Sequence, residues 1–360
     1  MSKLHSTLQA GELALKNRIV MAPLTRTRAG PTHVPNALMA EYYAQRASAG
    51  LVMTECSMVA ADASAFMGEG GIFNAETVAG WRRVTDAVHA KGGLIMIQIW
   101  HPGRATHEAI NGGVQPVSSS AHAIREQSTH TPKGKLPYPV PRALATAEIP
   151  GIVAAFRAAA KAARAAGFDG VQIHGAHGYL VDQFLRDSLN DRSDDYGGSI
   201  ANRARLLLEV IDAVSAEIGA GRVAVRISPL VGFNDMSDSD PEALTAYVAE
   251  ELSKRHLAFF ELRHEDWKLP RERALAELAR KHYKGVLMRN GGFDQAAGEE
   301  AVGSGAADAI VYGKAFIANP DLVERFAGKD APLNAVDFGH LYTPGPVGYT
   351  DYPALEAASA

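Results

Sequence analysis

The chain has one cysteine, Cys56, among 360 residues, which excludes an internal disulfide framework and any iron–sulfur cluster held by cysteines. That scarcity suits a reducing compartment. No stretch approaches the roughly twenty apolar residues of a membrane span, and Met1–Leu8 lacks the apolar core of a signal peptide. The expectation is a cytoplasmic protein with no membrane partner. An excess of one charge is also missing: 36 Lys and Arg face 40 Asp and Glu, mixed along the chain, for a net −4. Nothing in that balance points to nucleic acid. There is no G-x-G-x-x-G, which argues against a separate dinucleotide-binding domain. With no repeat, linker or low-complexity tract, the expectation is one domain over 1–360.

What is present is a rhythm. Short apolar, β-branched runs occur at Arg18–Ala22, Leu51–Thr54, Leu94–Ile99, Gly170–His174, Val223–Ser228, Ala258–Leu262, Gly285–Met288 and Ala309–Tyr312. Between them lie stretches of helical spacing, at Leu38–Ala49, Val78–Lys91, Ile152–Ala166, Ile200–Ile218, Pro241–Arg255, Arg271–Tyr283 and Phe293–Gly303. Pro320 is expected in the first turn of a last helix. Eight strand–helix pairs predict a (β/α)8 barrel, with Leu4–Lys16 as a hairpin or plug at its base. His101–Arg142, rich in Pro, Ser, Gly and His, is the one long irregular stretch. It is expected to cap the catalytic face after the third strand.

In such a barrel the functional groups gather where the strands end. The predicted strand ends carry Pro23-Leu24-Thr25-Arg26, Glu55-Cys56, Gln98-Ile99-Trp100-His101, His174 and His177, Arg226-Ile227-Ser228, Asn290-Gly291-Gly292 and Gly313-Lys314. The fourth end is the most informative. His174 and His177 lie three residues apart, and Tyr179 follows two further on. Two neutral imidazoles can donate to one oxygen while a phenol supplies a proton from another side. Gly291, Gly292 and Gly313 let bare backbone N–H groups approach an anion at the fold's phosphate position, and Lys314 adds a counter-charge. Structural readings stand beside these: Thr25 as a turn hydroxyl, Gln98 as an edge amide, Arg226 as an ion-pair partner, Trp100 and Tyr342 as core or lid aromatics. Two other functions also fit the pattern. One is a metal-dependent hydrolase using His101, His174 and His177; the other is a barrel that binds a small molecule without turnover.

The segments Met21–Arg26, Tyr42–Ala47, Gln98–Trp100, Ile173–Tyr179, Asp195–Arg203, Arg226–Pro229, Asn319–Asp321 and Gly348–Pro353 together resemble the Old Yellow Enzyme family of flavoprotein ene-reductases. The likeness runs in order from about Asn17 to Pro353. It implies non-covalent FMN, NADPH or NADH as reductant, and a small activated alkene as substrate. By motif position the resemblance gives Pro23, Thr25, Cys56, Gln98, Arg226, Gly291, Gly292, Gly313 and Lys314 to the flavin. It gives Trp100, His174, His177 and Tyr342 to the substrate, Tyr179 to proton donation, and no metal. It leaves the assembly as monomer or homodimer. Three residues depart from many relatives: His177 stands for Asn, Lys314 for Arg, and Cys56 for Gly or Ala. The family's second branch has Cys where this chain has Thr25.

Overall fold

The structure, a computed structural model, describes residues 2–328 and 331–355. The expected span of 1–360 therefore has both ends outside the described residues. Eight parallel strands close into a barrel: β3 (Ile19–Met21), β4 (Leu51–Met58), β5 (Ile95–Trp100), β10 (Gly170–Gly175), β11 (Val223–Ile227), β12 (Phe259–Arg263), β13 (Leu287–Asn290) and β14 (Ala309–Tyr312), which pairs back onto β3. Before them β1 (Leu8–Ala10) and β2 (Leu13–Leu15) form an antiparallel hairpin. The fold expectation of a barrel, a hairpin plug and a cap is the observed one.

The helices wrap the outside. They are α1 (Ala37–Gln45), α2 (Ala75–His89), α3 (Ile149–Ala165), α4 (Leu180–Leu185), α5 (Ile200–Ile218), α6 (Pro241–Ser253), α7 (Pro270–His282), α8 (Gln295–Gly303), α9 (Lys314–Ala318) and α10 (Leu322–Ala327). Their starts are written in the sequence. Asn36, Asn74, Ser199, Asp240 and Asp294 each turn a side-chain oxygen onto a backbone N–H of the first turn. Pro241 adds a preset φ at the first helical position of α6. None of these helices is long and apolar enough to cross a membrane.

Inside the barrel the base is apolar. Ala10, Leu13 and Leu15 of the hairpin pack against Val20, Leu51, Met53, Met96, Phe259 and Met288. The hairpin turn comes close to the α5–β11 connection. A Cβ on Gly11, whose φ is +58°, would lie 2.4 Å from the Gly221 carbonyl oxygen, so glycine is required there.

The capping stretch is more ordered than its composition predicts. It holds a hairpin of β7 (Ser128–Thr131) and β8 (Gly134–Pro137), and a short parallel pair of β6 (Val117–Ser118) and β9 (Arg142–Ala143). Three boundaries also move. β4 runs on to Met58 through a register shift between Met53 and Cys56, rather than ending at Glu55-Cys56. β13 starts two residues later than Gly285 and takes in Arg289 and Asn290. Pro320 lies before Asp321, the cap of α10, and not in its first turn.

Because Leu13 is buried at the end of the barrel away from the polar strand ends, Leu13→Ala is expected to lower the unfolding free energy by about 2–4 kcal/mol. Urea titration reads this directly. An unchanged midpoint would mean that the hairpin is not part of the cooperative unit.

Candidate active site

Above the apolar base, the inward positions of successive strands turn polar. Gln98 Nε2 donates to Gln172 Oε1 at 2.8 Å, and Gln172 Nε2 donates to Glu261 Oε2 at 2.7 Å. Arg226 Nε lies 3.2 Å from Glu261 Oε1, an ion pair by distance. The alignment is too poor for a hydrogen bond, so both atoms stay without a bonding partner. Arg226 Nη2 donates to Asn290 Oδ1 at 3.0 Å, and Asn290 in turn donates to the Val311 carbonyl. A belt of buried amide and charged groups thus crosses β5, β10, β11, β12, β13 and β14. Gln98 and Arg226 are the two members that the sequence assigns to the flavin, and Asn290 stands at one of its predicted strand ends. Gln172 and Glu261 were passed over, although each is a polar break in an apolar run.

His174 stands at the end of β10, next in register to Arg226. Its Nδ1 accepts from the Ala176 N–H at 3.2 Å. That bond leaves the proton on Nε2 of the neutral ring, where it can be donated. Burial, with Arg226 adding to it, lowers the imidazole to about 3, so the ring is neutral at physiological pH. His177 is driven well below the ordinary value by burial and then by Arg226 and His174. The two rings lie 5.7 Å apart, edge to face.

His177 also has φ of +57°, a conformation uncommon outside glycine. Its N–H donates to Ser228 Oγ and its carbonyl accepts from Asn234 Nδ2, both at 2.9 Å. Gly178 follows at φ +69°, where a Cβ would collide with Met236 and Asn234. Asn234 and Asp235 are themselves left-handed. The Asn–Asp pair was the available sequence signal for this support, since both types tolerate that region.

Tyr179 is buried beside these rings. It meets His174 at 5.0 Å and Trp100 at 4.5 Å, both edge to face. Burial raises its phenol well above the ordinary range, Cys56, Tyr138 and Tyr342 add to this, and a side-chain bond to Asn234 opposes it. The phenol therefore keeps its proton. Trp100 stacks on Phe66 and has a buried Nε1 with no partner. Ile124 and Tyr138 of the capping stretch close over Trp100 and Tyr179.

Thr25 from the β3–α1 loop and Cys56 from β4 face this group, with Thr25 Oγ1 and Cys56 Sγ 3.1 Å apart. Burial pushes the thiol well up, which makes it an inert neighbour at neutral pH. The loop that carries Thr25 is tied down beneath and above. Glu55 Oε2 accepts from the N–H groups of Arg26 and Thr27 at 3.1 and 3.2 Å. Arg26 and Arg28 reach the carbonyls of Leu341, Gly348 and His340, while Thr27 Oγ1 donates to the Tyr342 carbonyl. The segment holding Tyr342 is thereby strapped across the mouth. Tyr342 itself stands at the rim, 63% exposed.

The remaining residues sit at the far side. Gly291 and Gly292 have φ of +127° and +79°, and a Cβ on Gly291 would lie 2.3 Å from the His264 carbonyl oxygen. At Gly313 an added Cβ meets nothing nearer than 3.6 Å, so internal packing does not demand glycine there. Lys314 is exposed, with its ammonium 5.7 Å from the Phe338 ring. The structure thus brings Thr25, Cys56, Trp100, His174, His177 and Tyr179 together, with Gln98 and Arg226 below them. His101 takes no part in a cluster with the other two imidazoles: its Nδ1 accepts from the Gly103 N–H. Among the described residues no three His, Cys, Asp or Glu side chains converge as a metal site.

Residues 3–332 match the family described as NADH:flavin oxidoreductase / NADH oxidase. A Leishmania infantum protein named as a probable flavin mononucleotide-dependent alkene reductase is 50% identical over 353 residues, covering 97% of this chain and 96% of that one. The 12-oxophytodienoate reductase 2 of Arabidopsis thaliana is 42% identical over 97% of this chain and 95% of its own. Morphinone reductase, solved in complex with tetrahydroNAD, superposes with a TM-score of 0.95 at 43% identity, covering 99% of each chain. An old yellow enzyme homologue from Zymomonas mobilis superposes at 0.94 and 43% identity, over 97% of this chain and 99% of that one.

Glu55 gives the site a pH signature. Burial lifts its carboxyl from the ordinary 4.5 to about 7, against the two N–H groups it accepts. The folded protein therefore keeps a proton that the unfolded chain has lost, and stability falls as pH rises through that interval. From this group alone the loss between pH 5 and 8 is expected to be on the order of 3 kcal/mol. Glu55→Gln retains one acceptor oxygen and should remove that slope, as read by urea unfolding at both pH values. Equal slopes for variant and parent would assign Glu55 an ordinary titration.

Proposed function

The chain belongs to the NADH:flavin oxidoreductase / NADH oxidase family, of the old yellow enzyme type, and from that premise we propose that it reduces the C=C bond of activated alkenes. The substrates in this reading are α,β-unsaturated aldehydes and ketones, maleimides and nitroalkenes. The observation that carries it is the convergence of two neutral imidazoles and a protonated phenol over a polar belt. The molecule is read as one FMN-binding domain acting in the cytoplasm on small molecules, with NADPH or NADH as reductant and as a monomer or homodimer.

The residues suit a flat, anionic, hydrogen-bonding cofactor. Gln98 offers an amide edge, Arg226 a buried guanidinium charge, and Thr25 a hydroxyl. Gly313, next to Lys314 in the chain, leaves backbone open for a phosphate, and Gly291 and Gly292 would add N–H groups from the preceding strand end. Pro23 and Cys56 would line the flavin's edge. FMN, when bound, would supply the hydride chemistry that links NAD(P)H to the alkene.

The chain's own part is polarisation and proton delivery. His174 donates from Nε2 to the substrate oxygen, with its tautomer held by Ala176, and His177 donates from the other side. Fixed donors of this kind draw electron density from the β-carbon without reorganising. Trp100 and Tyr342 hold the substrate in the pocket. Tyr179 gives its proton to the α-carbon, and because burial makes that phenol a weaker acid still, the proton follows or accompanies the hydride.

Purified protein should show flavin absorption that bleaches with anaerobic NADPH and returns with cyclohexenone. Colourless protein that FMN cannot reconstitute would overturn the flavin reading. Tyr179→Phe should leave bleaching by NADPH intact and slow the return by roughly 10²–10⁴-fold. Equal losses in both halves would remove Tyr179 as the proton donor. His174→Ala should weaken binding of a para-substituted phenol, followed by its charge-transfer band, by about tenfold or more; an unchanged dissociation constant would take His174 out of the oxygen grip.

A further inference from the structure

On the outer face of the barrel, α6 packs along α7, but α7 and α8 barely touch. Between them lies a cleft of about 660 Å³. Its walls are made by small side chains, Ala276, Ala297, Ala301 and Ala306, so neither helix fills the gap. Cations enter it from two elements: Arg289 from β13, and Arg273, Arg280 and Lys281 from α7, with Glu277 and Glu300 as the carboxylates that face them. Arg280 is already committed to Asp308, at 2.7 Å, and to two carbonyls. The other three cations form no ion pair among the described residues.

Arg289 is the unusual member. It is only 5% exposed, and its Nη2 has no hydrogen-bond partner among the described residues. Its Nε donates to His264 Nε2 at 3.1 Å. Since Nε2 accepts, the His264 proton sits on Nδ1, which donates to Glu272 at 2.7 Å. Burial lowers the Arg289 guanidinium to about 10, with Glu272 and Glu277 opposing. Trp267, which also lines the cleft, has a second buried donor without a partner among the described residues, its indole Nε1. Two unsatisfied donors and two uncommitted cations over an alanine wall are an arrangement that an anion with an apolar body completes.

We propose that the cleft between α7 and α8 binds a phosphate monoester carrying a short apolar chain, with the phosphate on Arg289 and Arg273 and the chain against the alanines. This does not rest on the flavin reading. The cleft adjoins the Gly291–Gly292 loop, since the Trp267 backbone N–H donates to the Gly291 carbonyl at 3.1 Å and Phe293 stacks on Trp267 at 5.0 Å with the Arg289 guanidinium 5.3 Å from its ring, but Arg273 and the alanines lie outside that loop.

The test is calorimetric titration of FMN-saturated protein with butyl phosphate at constant ionic strength, with inorganic phosphate for comparison. One saturable site is expected, tighter for butyl phosphate than for phosphate. Arg273→Ala, at an exposed helix position, should weaken it by about tenfold. Ala301→Leu should block it by filling the wall while leaving every cation in place. Lys314→Ala should leave the affinity as it was. No saturable heat at millimolar concentrations would overturn the proposal. So would an affinity that ignores both cleft substitutions, or one lost only with Lys314→Ala, which would put the anion in the glycine loop instead.

Discussion

The buried Arg226–Glu261 pair is the constraint around which the upper half of the barrel is arranged. Two opposite charges removed from water cost several kcal/mol each before their attraction is counted, so each needs hydrogen bonds around it. Glu261 receives one from Gln172, which is itself held by Gln98, and Arg226 gives one to Asn290. The pair therefore dictates polar residues on neighbouring strands, in a layer that packing alone would fill with Val or Ile. It also reaches upward. The Arg226 charge adds to burial in keeping both imidazoles unprotonated. Two protonated rings beside a guanidinium would repel one another and any cation, whereas two neutral rings offer donors without net charge. The chemistry proposed at His174 and His177 thus depends on a charge one layer below them.

A second feature is where the backbone is strained. Thr27, His177, Asn234 and Asp235 all have φ near +57° to +59°, and Thr27, being β-branched, is the most unfavourable of them. Each such residue costs on the order of 1–3 kcal/mol and persists only when its surroundings over-determine it. Here they do. Glu55 and the Tyr342 carbonyl hold Thr27, while Ser228 and Asn234 hold His177. All four lie at the barrel mouth and none in the apolar base. Three further non-glycine residues share a similar φ elsewhere, His33, Glu126 and His256, the last in the α6–β12 connection at the opposite end of the barrel, so the strain is concentrated at the site without being confined to it.

That distribution explains what the sequence disclosed and what it hid. Strand positions were legible because parallel barrel strands are continuous apolar runs, and all eight were found on that basis. The boundaries failed where the site intrudes. β13 was placed two residues early because Arg289 and Asn290 look like a loop, yet one points to His264 and the other into the polar belt. β4 was cut short at Glu55, a charged residue that in fact continues the strand through a register shift. His174, His177 and Tyr179 were legible because they cluster within six residues. Gln172, Glu261 and Asn234 were not, since their role exists only once three separate strand ends meet. The capping hairpin was hidden by composition: Ser, Thr, Gly and Pro read as irregular, while Thr129 and Thr131 turn inward at alternate positions.

The C-terminal strap shows why a site of this kind is more than its strand ends. Between Asp337 and Tyr349 it forms a single short 3-10 turn and no strand. Its position is set almost wholly by side chains of the β3–α1 loop that donate to its carbonyls. Arg26 and Arg28 lie over the Tyr349 ring at 5.1 and 4.7 Å, and Tyr349 stacks on Tyr42 of α1 at 4.0 Å. A guanidinium suits this use, because its rigid fork can satisfy several carbonyls while its face rests on an aromatic ring. The same loop carries Thr25. At the strap's other end Phe338 meets the Lys314 ammonium. One segment without regular structure therefore touches the loop beside the proposed substrate pocket and the lysine beside the proposed phosphate. Its geometry is fixed only as firmly as Arg26, Arg28 and Glu55 are, which makes a buried carboxyl and two guanidiniums remote from the reacting atoms part of what shapes the mouth.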